Sequence, residues 1–398
     1  YSMTYRAEDR TLKDEEVKEA VKGGRWEVQG ATWTEFDTNL PSGESLIRQF
    51  VYGRKFFMEE FGFVPNYLWL PDCFGFSGNL PQIIKGCGVD FFITQKLSWN
   101  ETNVFDNHLF MWQGIDGSEV RAHQLPTNDY NSSNNPASFI IAEGRYEQAE
   151  IADGFLNLYG IGDGGGGPTR NHIEYGLRQR DLEGACKFRF SKAQTFFDYY
   201  ATIPEELLPK AYTELYLEFH RGTYTTQGQM KKDNFVSERL LGAAEWFAVL
   251  SGLHKGKQEY PEELRPIWED TLLLQFHDIL PGSSITKVYE DSREMSQKNH
   301  DKLAEIIDEL FICEDSGEGR YALANPAPVE VAAWLSFPLE YKDAGVELEG
   351  AVLEATKLRE DGLALLIKMP AFSIGSLSFE GGASAAIAKR EELLVKDG

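Results

Sequence analysis

The stretch Leu68-Trp69-Leu70-Pro71-Asp72-Cys73-Phe74-Gly75-Phe76-Ser77-Gly78-Asn79 sets the reading of this chain. A short apolar run ends abruptly in a carboxylate, and a turn with two glycines and a serine follows. In open α/β folds, ligands bind in the crevice outside the carboxyl ends of strands. Asp72 therefore stands where an enzyme presents an acidic group. The competing reading is an N-cap for the next helix, a role aspartate fills well.

Working outward, the flanking residues keep an α/β rhythm. Residues 11–23 are charged and helix-like, and 25–34 read as a strand before a turn rich in Asn39, Pro41 and Gly43. Leu46, Phe50, Phe57 and Phe61 fall at helical spacing, which predicts an amphipathic helix over 43–61 stopped by Gly62. Tyr67–Leu70 reads as a buried strand. Leu80, Ile83, Ile84 and Cys87 mark a short helix ending at Gly88, and Val89–Thr94 is the next strand. Strand, helix, strand in this order argues for parallel pairing. Val120–Leu125 and Phe155–Ile161 read as further strands.

After about residue 190 the pattern changes to three long helical stretches near 230–253, 261–279 and 284–312. From Tyr321 it changes again, with a linker at Asn325-Pro326-Ala327-Pro328 and short alternating segments beyond. The expected fold is α/β: a (β/α) barrel-like domain with a mostly parallel sheet, a three-helix bundle, and the beginning of a β-sandwich. The corresponding domains are 1–200, 201–318 and 319–398.

The chain has 398 residues, 42% hydrophobic, with a formal charge of −24. Such a surface repels phosphate backbones and anionic lipid, so neither a nucleic acid nor a membrane is an expected partner. Cys73, Cys87, Cys186 and Cys313 show no paired spacing. They read as reduced thiols, and the expected location is cytoplasmic.

Several residues are candidates for chemistry. His277, in Gln275-Phe276-His277-Asp278, reads as the end of an apolar helix. It is either a buried, hydrogen-bonded histidine or a metal ligand held in one tautomer by a neighbour. A zinc site could take an oxygen of Asp72 and a nitrogen of His277. Asp163 faces four consecutive glycines, which let backbone approach a ligand closely. Two carboxylates flanking a glycosidic bond are the minimal apparatus of sugar hydrolysis. A phosphate loop is the rival for Gly162–Thr169, but the Gly-Lys-Ser/Thr ending is missing. Lys96 follows a strand; Tyr130 and Asn131 lie in a polar cluster after Leu125; His220 and Tyr224 lie in Glu218–Thr226, dense in hydrogen-bonding groups.

These blocks, in this order, resemble the α-mannosidases of glycoside hydrolase family 38, in particular its cytosolic and bacterial branch. The matching segments are Thr32–Asp37 with Asn39–Glu44, Trp69–Ser77, Thr94–Asn100, Gly162–Thr169, Phe219–Thr226 and Gln275–Ser283. The resemblance implies a seven-stranded α/β domain, a helical bundle and β domains behind it. It also implies a zinc ion held by a His-x-Asp pair, a nucleophilic aspartate and a bundle histidine.

Asp72 matches the nucleophile and metal ligand, and His277 the bundle ligand. Lys96 falls where the family places a basic residue near the acid/base. Tyr130 and Asn131 fall on a substrate-contacting Tyr–Asp pair, with Asn in place of Asp. Asp163 is the only carboxylate of the glycine loop, although some relatives carry the acid where this chain has Gly164. The family's His-x-Asp lies before the region where this chain begins, so the chain reads as an internal fragment whose own activity stays open.

The function so implied is that of a retaining exo-α-mannosidase acting on α-mannoside oligosaccharides. A zinc-dependent sugar deacetylase and a non-catalytic carbohydrate-binding fragment are the alternatives. Zinc suits the His/Asp ligand mix, and cobalt could substitute. Homo-oligomer formation stays open.

Overall fold

The computed structural model describes residues 13–163, 166–255, 260–311, 319–360 and 362–380. The chain divides into two compact units, one made of Tyr1–Glu238 with Pro266–Gln297, the other of Arg239–Arg265 with Lys298–Gly398.

The first unit is built on a five-stranded sheet of β1 (Tyr67–Trp69), β2 (Phe91–Thr94), β3 (Leu109–Gln113), β4 (Glu119–Gln124) and β5 (Lys210–Tyr212), in the order β1-β2-β4-β3-β5. β1, β2 and β4 run parallel, β3 is antiparallel to β4, and β5 is parallel to β3. The family resemblance implies seven strands; the described residues supply five to this sheet.

Strands β1, β2 and β3 are apolar on both faces, as a sheet covered on both sides requires. Leu68, Phe92, Phe110 and Trp112 enter one core with Leu46 and Phe50. Tyr67, Phe91, Ile93, Leu109 and Met111 enter the other with Phe196, Phe197 and Tyr200. Because β1, β2 and β4 are parallel, their carboxyl ends open on one edge. Asp72, Lys96 and the 127–131 loop all emerge there.

The helices of this unit include α1 (Asp14–Lys22), α2 (Gly43–Phe61), α3 (Leu80–Gly86), α4 (Pro136–Arg145), α5 (Arg170–Arg178) and α6 (Ala193–Tyr200). α2 has the bounds its periodicity predicts. Ser42 accepts the amide of Ser45 as N-cap, and Gly62 ends the helix in the left-handed region at φ 79°. Its buried face carries Leu46, Gln49, Phe50 and Gly53.

Gly53 explains why 25–34, expected as a strand, is not one. A Cβ on Gly53 would sit 2.2 Å from the carbonyl carbon of Thr32, so the bare helix backbone lets this segment cross in contact. Gln49 then takes the hydrogen bonds a ladder would have used. Its main-chain oxygen accepts from Trp33 N at 2.8 Å and its side-chain oxygen from Thr34 N at 3.0 Å.

Phe155–Ile161 is likewise not a strand. It makes one parallel bridge, Ser132 with Tyr159. Leu156 N–H goes instead to the imidazole of His123 at 3.2 Å. Three long helices appear as α7 (Gly228–Lys255), α8 (Leu264–Leu274) and α9 (Thr286–Leu310). α8 stops three residues before His277, because Phe276 leaves the helix to bridge Phe36.

In the second unit, two three-stranded antiparallel sheets share one core. β6 (Arg320–Asn325), β8 (Gly345–Glu349) and β11 (Ser373–Glu380) form one sheet. β7 (Val331–Phe337), β9 (Val352–Leu358) and β10 (Leu363–Met369) form the other. Leu323, Leu377 and Phe379 from the first meet Phe337, Leu365 and Ile367 from the second. This is the sandwich arrangement that alternating segments favour. Among the described residues no helix is long and apolar enough to cross a membrane.

Candidate active site

Asp72 leaves the carboxyl end of β1 and Lys96 the carboxyl end of the neighbouring β2. The Lys96 ammonium bonds Asp72 Oδ1. The lysine side chain keeps only 3% of its surface while the aspartate keeps 21%, so the pair is built from within and open on the carboxylate side. The lysine is held by rings as well: its Nζ lies 3.6 Å from the centroid of Trp99 and 5.5 Å from that of Phe74. Cations favour such faces once they are partly desolvated.

The other carboxylate oxygen, Asp72 Oδ2, faces His277 Nε2 at 3.7 Å. His277 arrives through a short antiparallel contact. Asp37 N donates to Gln275 O at 2.8 Å, and His277 N to Glu35 O at 3.1 Å. That same carbonyl lies 3.0 Å from His277 Nδ1, so Nδ1 donates to it and Nε2 is the nitrogen turned toward Asp72. Asp278 Oδ2 flanks Nε2 from another side at 3.5 Å.

Glu35 joins the two halves. Its side chain accepts the main-chain N–H of Asp72 at 2.6 Å while its carbonyl orients His277. Burial, offset by His277 and by the Asp72 N–H, pushes its carboxyl up to about 7. Sequence reasoning had Glu35 inside a matching block but gave it no task. Its signal was only its place two residues before Asp37, a carboxylate buried at 1% exposure.

The donor set suits a zinc ion on one face of His277 and not on the other. Two ligands each ~2.1 Å from a tetrahedral ion stand roughly 3.4 Å apart. Asp72 Oδ2 and Asp278 Oδ2, at 3.7 and 3.5 Å from Nε2, lie near that spacing. Glu35, Cys73 and His277 also form a compact trio, with ligand atoms within 4.8 Å of one another. Cys73 is a poor ligand there. Burial and the surrounding carboxylates push its thiol well above the ordinary range, and it donates to Phe36 O at 3.1 Å. Of the two faces, that of Nε2 and Asp72 is the one whose donors and spacing fit a metal ion.

A second group stands at the same sheet edge. Asn131 accepts the amide of Gly162, which draws the glycine loop onto the 127–131 turn. Asp163 follows with φ 58°, a left-handed conformation uncommon outside glycine. The Tyr130 phenol is raised by burial first, then by the charges of Asp72 and Asp163, so both carboxylates bear on one ring. Gly164 and Gly165 lie outside the described residues.

His220, at φ 66°, places its ring 4.7 Å from Phe74 and 5.6 Å from Trp99. Burial and the Lys96 charge push its pKa down. Tyr224 differs from the rest. Its hydroxyl receives Asn39 Nδ2 at 2.7 Å and lies 3.0 Å from Asp37 Oδ2, so it braces the turn behind Phe74. The structure thus brings Asp72, Lys96 and His277 into direct contact. It sets His220 beside them, and places Tyr130, Asn131 and Asp163 together at the rim.

Comparison with known proteins agrees along the chain. The model of the glycosyl hydrolases family 38 N-terminal domain matches residues 1–210, and that of the alpha mannosidase middle domain matches 218–311. Alpha-mannosidase G of Dictyostelium discoideum is 43% identical over 284 residues, which cover 71% of this chain and 26% of that protein. Alpha-mannosidase 2C1 of Homo sapiens is 39% identical over 277 residues, covering 69% and 26%. The chain spans about a quarter of the length of these curated relatives.

The crystal structure of an alpha-mannosidase from Enterococcus faecalis V583 shares the fold, with a TM-score of 0.69 at 17% identity over 94% of this chain and 50% of that one. With matched blocks running through the sheet, the glycine loop and the helices, and a family model covering more than half its residues, the chain belongs to glycosyl hydrolase family 38.

Proposed function

We propose that this chain carries the nucleophile and acid/base of a retaining exo-α-mannosidase that removes terminal mannose from α-mannoside oligosaccharides. The observation that carries this reading is the division of labour at Asp72. One of its oxygens is tied to Lys96 and the other faces His277 Nε2 at 3.7 Å, at the open carboxyl edge of the sheet. The names of the relatives, all α-mannosidases, support the sugar. They favour glycoside cleavage over deacetylation or mere binding.

Asp72 and His277 would hold the zinc ion, whose Lewis acidity would polarise hydroxyls of the bound mannose. This chain's residues do the rest. The Asp72 carboxylate attacks the anomeric carbon, and the bond from that carbon to the leaving oxygen breaks. Asp163 gives its proton to that oxygen. The carboxylate of Asp163 then takes a proton from water, whose oxygen attacks the same carbon and frees Asp72, so the α configuration is restored.

Lys96 orients the nucleophile, and Glu35 fixes its backbone. Tyr130, Asn131 and His220 line the approach. The free thiols Cys73, Cys87 and Cys186 accord with a reducing, cytoplasmic setting.

The test is trapping with a fluorinated mannosyl fluoride followed by peptide mass mapping. The expected label is on the peptide bearing Asp72, with α-mannose as the first product by NMR. A β first product, or a label on another carboxylate, overturns the assignment.

A further inference from the structure

Two large rings remain exposed beside the site, beyond what holding Lys96 requires of the first: Trp99, 41% exposed, and Phe219, 38% exposed. Trp99 ends the single 3-10 turn that begins at Lys96, and the Lys96 ammonium lies against one face of its indole at 3.6 Å. Phe219 meets Trp99 edge-on at 6.5 Å between centroids, and the His220 ring stands 5.6 Å from Trp99.

The rings are held in place by a dense polar clamp. The Glu218 carboxylate accepts the amides of Glu101 and Thr102 at 2.8 Å and of Asn103 at 2.6 Å, with Asn103 Nδ2 at 2.7 Å. Asn100 closes it from the other side, donating to Tyr216 O at 3.0 Å and accepting from Glu218 N at 2.8 Å. Two loops far apart in sequence are thereby locked with their aromatic residues outward. Left exposed, such rings give up the gain of burial, and rigidity lowers what a ligand must spend to order them.

We propose that Trp99 and Phe219 form a stacking platform for the sugar next to the scissile bond, on the leaving-group side. The proposal rests on the mannosidase reading and adds to it a preference for substrates in which mannose is joined to a second pyranose. Position is the argument for the leaving-group side. On the mannosidase reading the terminal mannose would lie on the His277 side, at Asp72 Oδ2, whereas the indole lies beyond Lys96, on the side of Oδ1. Aromatic rings offer the apolar C–H face of a pyranose a large, rigid contact.

The test is calorimetric titration of the chain with α-mannobiose and with mannose, for the wild type, Trp99→Ala, Trp99→Phe and Phe219→Ala. The wild type is expected to bind the disaccharide about tenfold more tightly than mannose. Trp99→Ala should erase that ratio, Phe219→Ala reduce it, and Trp99→Phe retain most of it. In turnover, Trp99→Ala should lower the ratio of kcat/KM for α-mannobiose to that for α-mannosyl fluoride, which has no ring on the leaving side. Equal affinity of the wild type for both sugars, or a ratio untouched by Trp99→Ala, overturns the platform. Binding and cleavage of neither sugar defeats the mannosidase reading itself, and the platform falls with it.

Discussion

Glu35→Ala removes the acceptor that holds the main-chain N–H of the proposed nucleophile, and its consequences follow from two contacts. The lost bond is short, 2.6 Å, and leaves Asp72 N–H without its partner in a partly buried place. An unpaired buried donor costs about 1–3 kcal/mol. For a unit of this size each kcal/mol lowers Tm by about 2–4 °C, so a fall of roughly 2–12 °C is expected.

The effect on catalysis should be larger in kcat than in KM. Glu35 touches the nucleophile's backbone, and a shift of the order of 1 Å in a reacting group costs on the order of 100-fold. Glu35→Gln separates acceptor from charge, because its amide oxygen can still receive the N–H. It should recover most of both losses. The Glu35 carbonyl that orients His277 is unchanged in either variant. Differential scanning calorimetry and initial rates on an aryl α-mannoside are the assays. A Glu35→Ala protein with unchanged Tm and kcat within about twofold refutes the reasoning. A Glu35→Gln protein as damaged as Glu35→Ala shows that the charge, not the hydrogen bond, is what matters.

Gly53→Ala drives a Cβ to within 2.2 Å of the Thr32 carbonyl carbon, where only backbone can yield. Overpacking of this kind costs about 1–3 kcal/mol or more, and thermal unfolding at an unchanged Tm would contradict it. Gly162→Ala puts a Cβ 2.3 Å from the Tyr130 ring. It is expected to displace the Asp163 loop, lowering kcat far more than Tm; a variant with wild-type kcat counts against a role for that loop. Burial holds His123 neutral, its pKa pushed down to about 3 from an ordinary 6.5, while its ring nitrogens meet His108 O and Leu156 N. The stability this provides is complete above pH 6.5 and is lost as pH falls toward 3, on the order of 3 kcal/mol by pH 4.5. An NMR titration in which His123 protonates with a midpoint near 6.5 would disprove it.

Much of the frame could be read locally. α2 follows from apolar spacing, a serine cap and a terminal glycine, all within its own residues. β1, β2 and β4 follow from short apolar runs between turns. Once those three are parallel, the residues after them must share an edge, which is why Asp72 and Lys96 meet. Periodicity and strand-end position are properties of neighbouring residues, so sequence alone determines them.

The rest depended on segments meeting across the fold. Residues 25–34 carry strand-like composition, yet they lie on α2 because Gly53 leaves room and Gln49 takes their hydrogen bonds. Phe155–Ile161 gives an amide to His123 instead of to a ladder. Tyr224 sits in a polar cluster that promised substrate contact, but its hydroxyl is spent on Asn39 and Asp37. Glu35 reaches Asp72 across 37 residues and His277 across 242, so no local pattern announces it. Sequence by itself determined α2, the strands β1, β2 and β4, and the strand end from which Asp72 emerges. Tertiary structure alone decided which groups share protons and contacts, because those bonds exist only after distant segments are packed together.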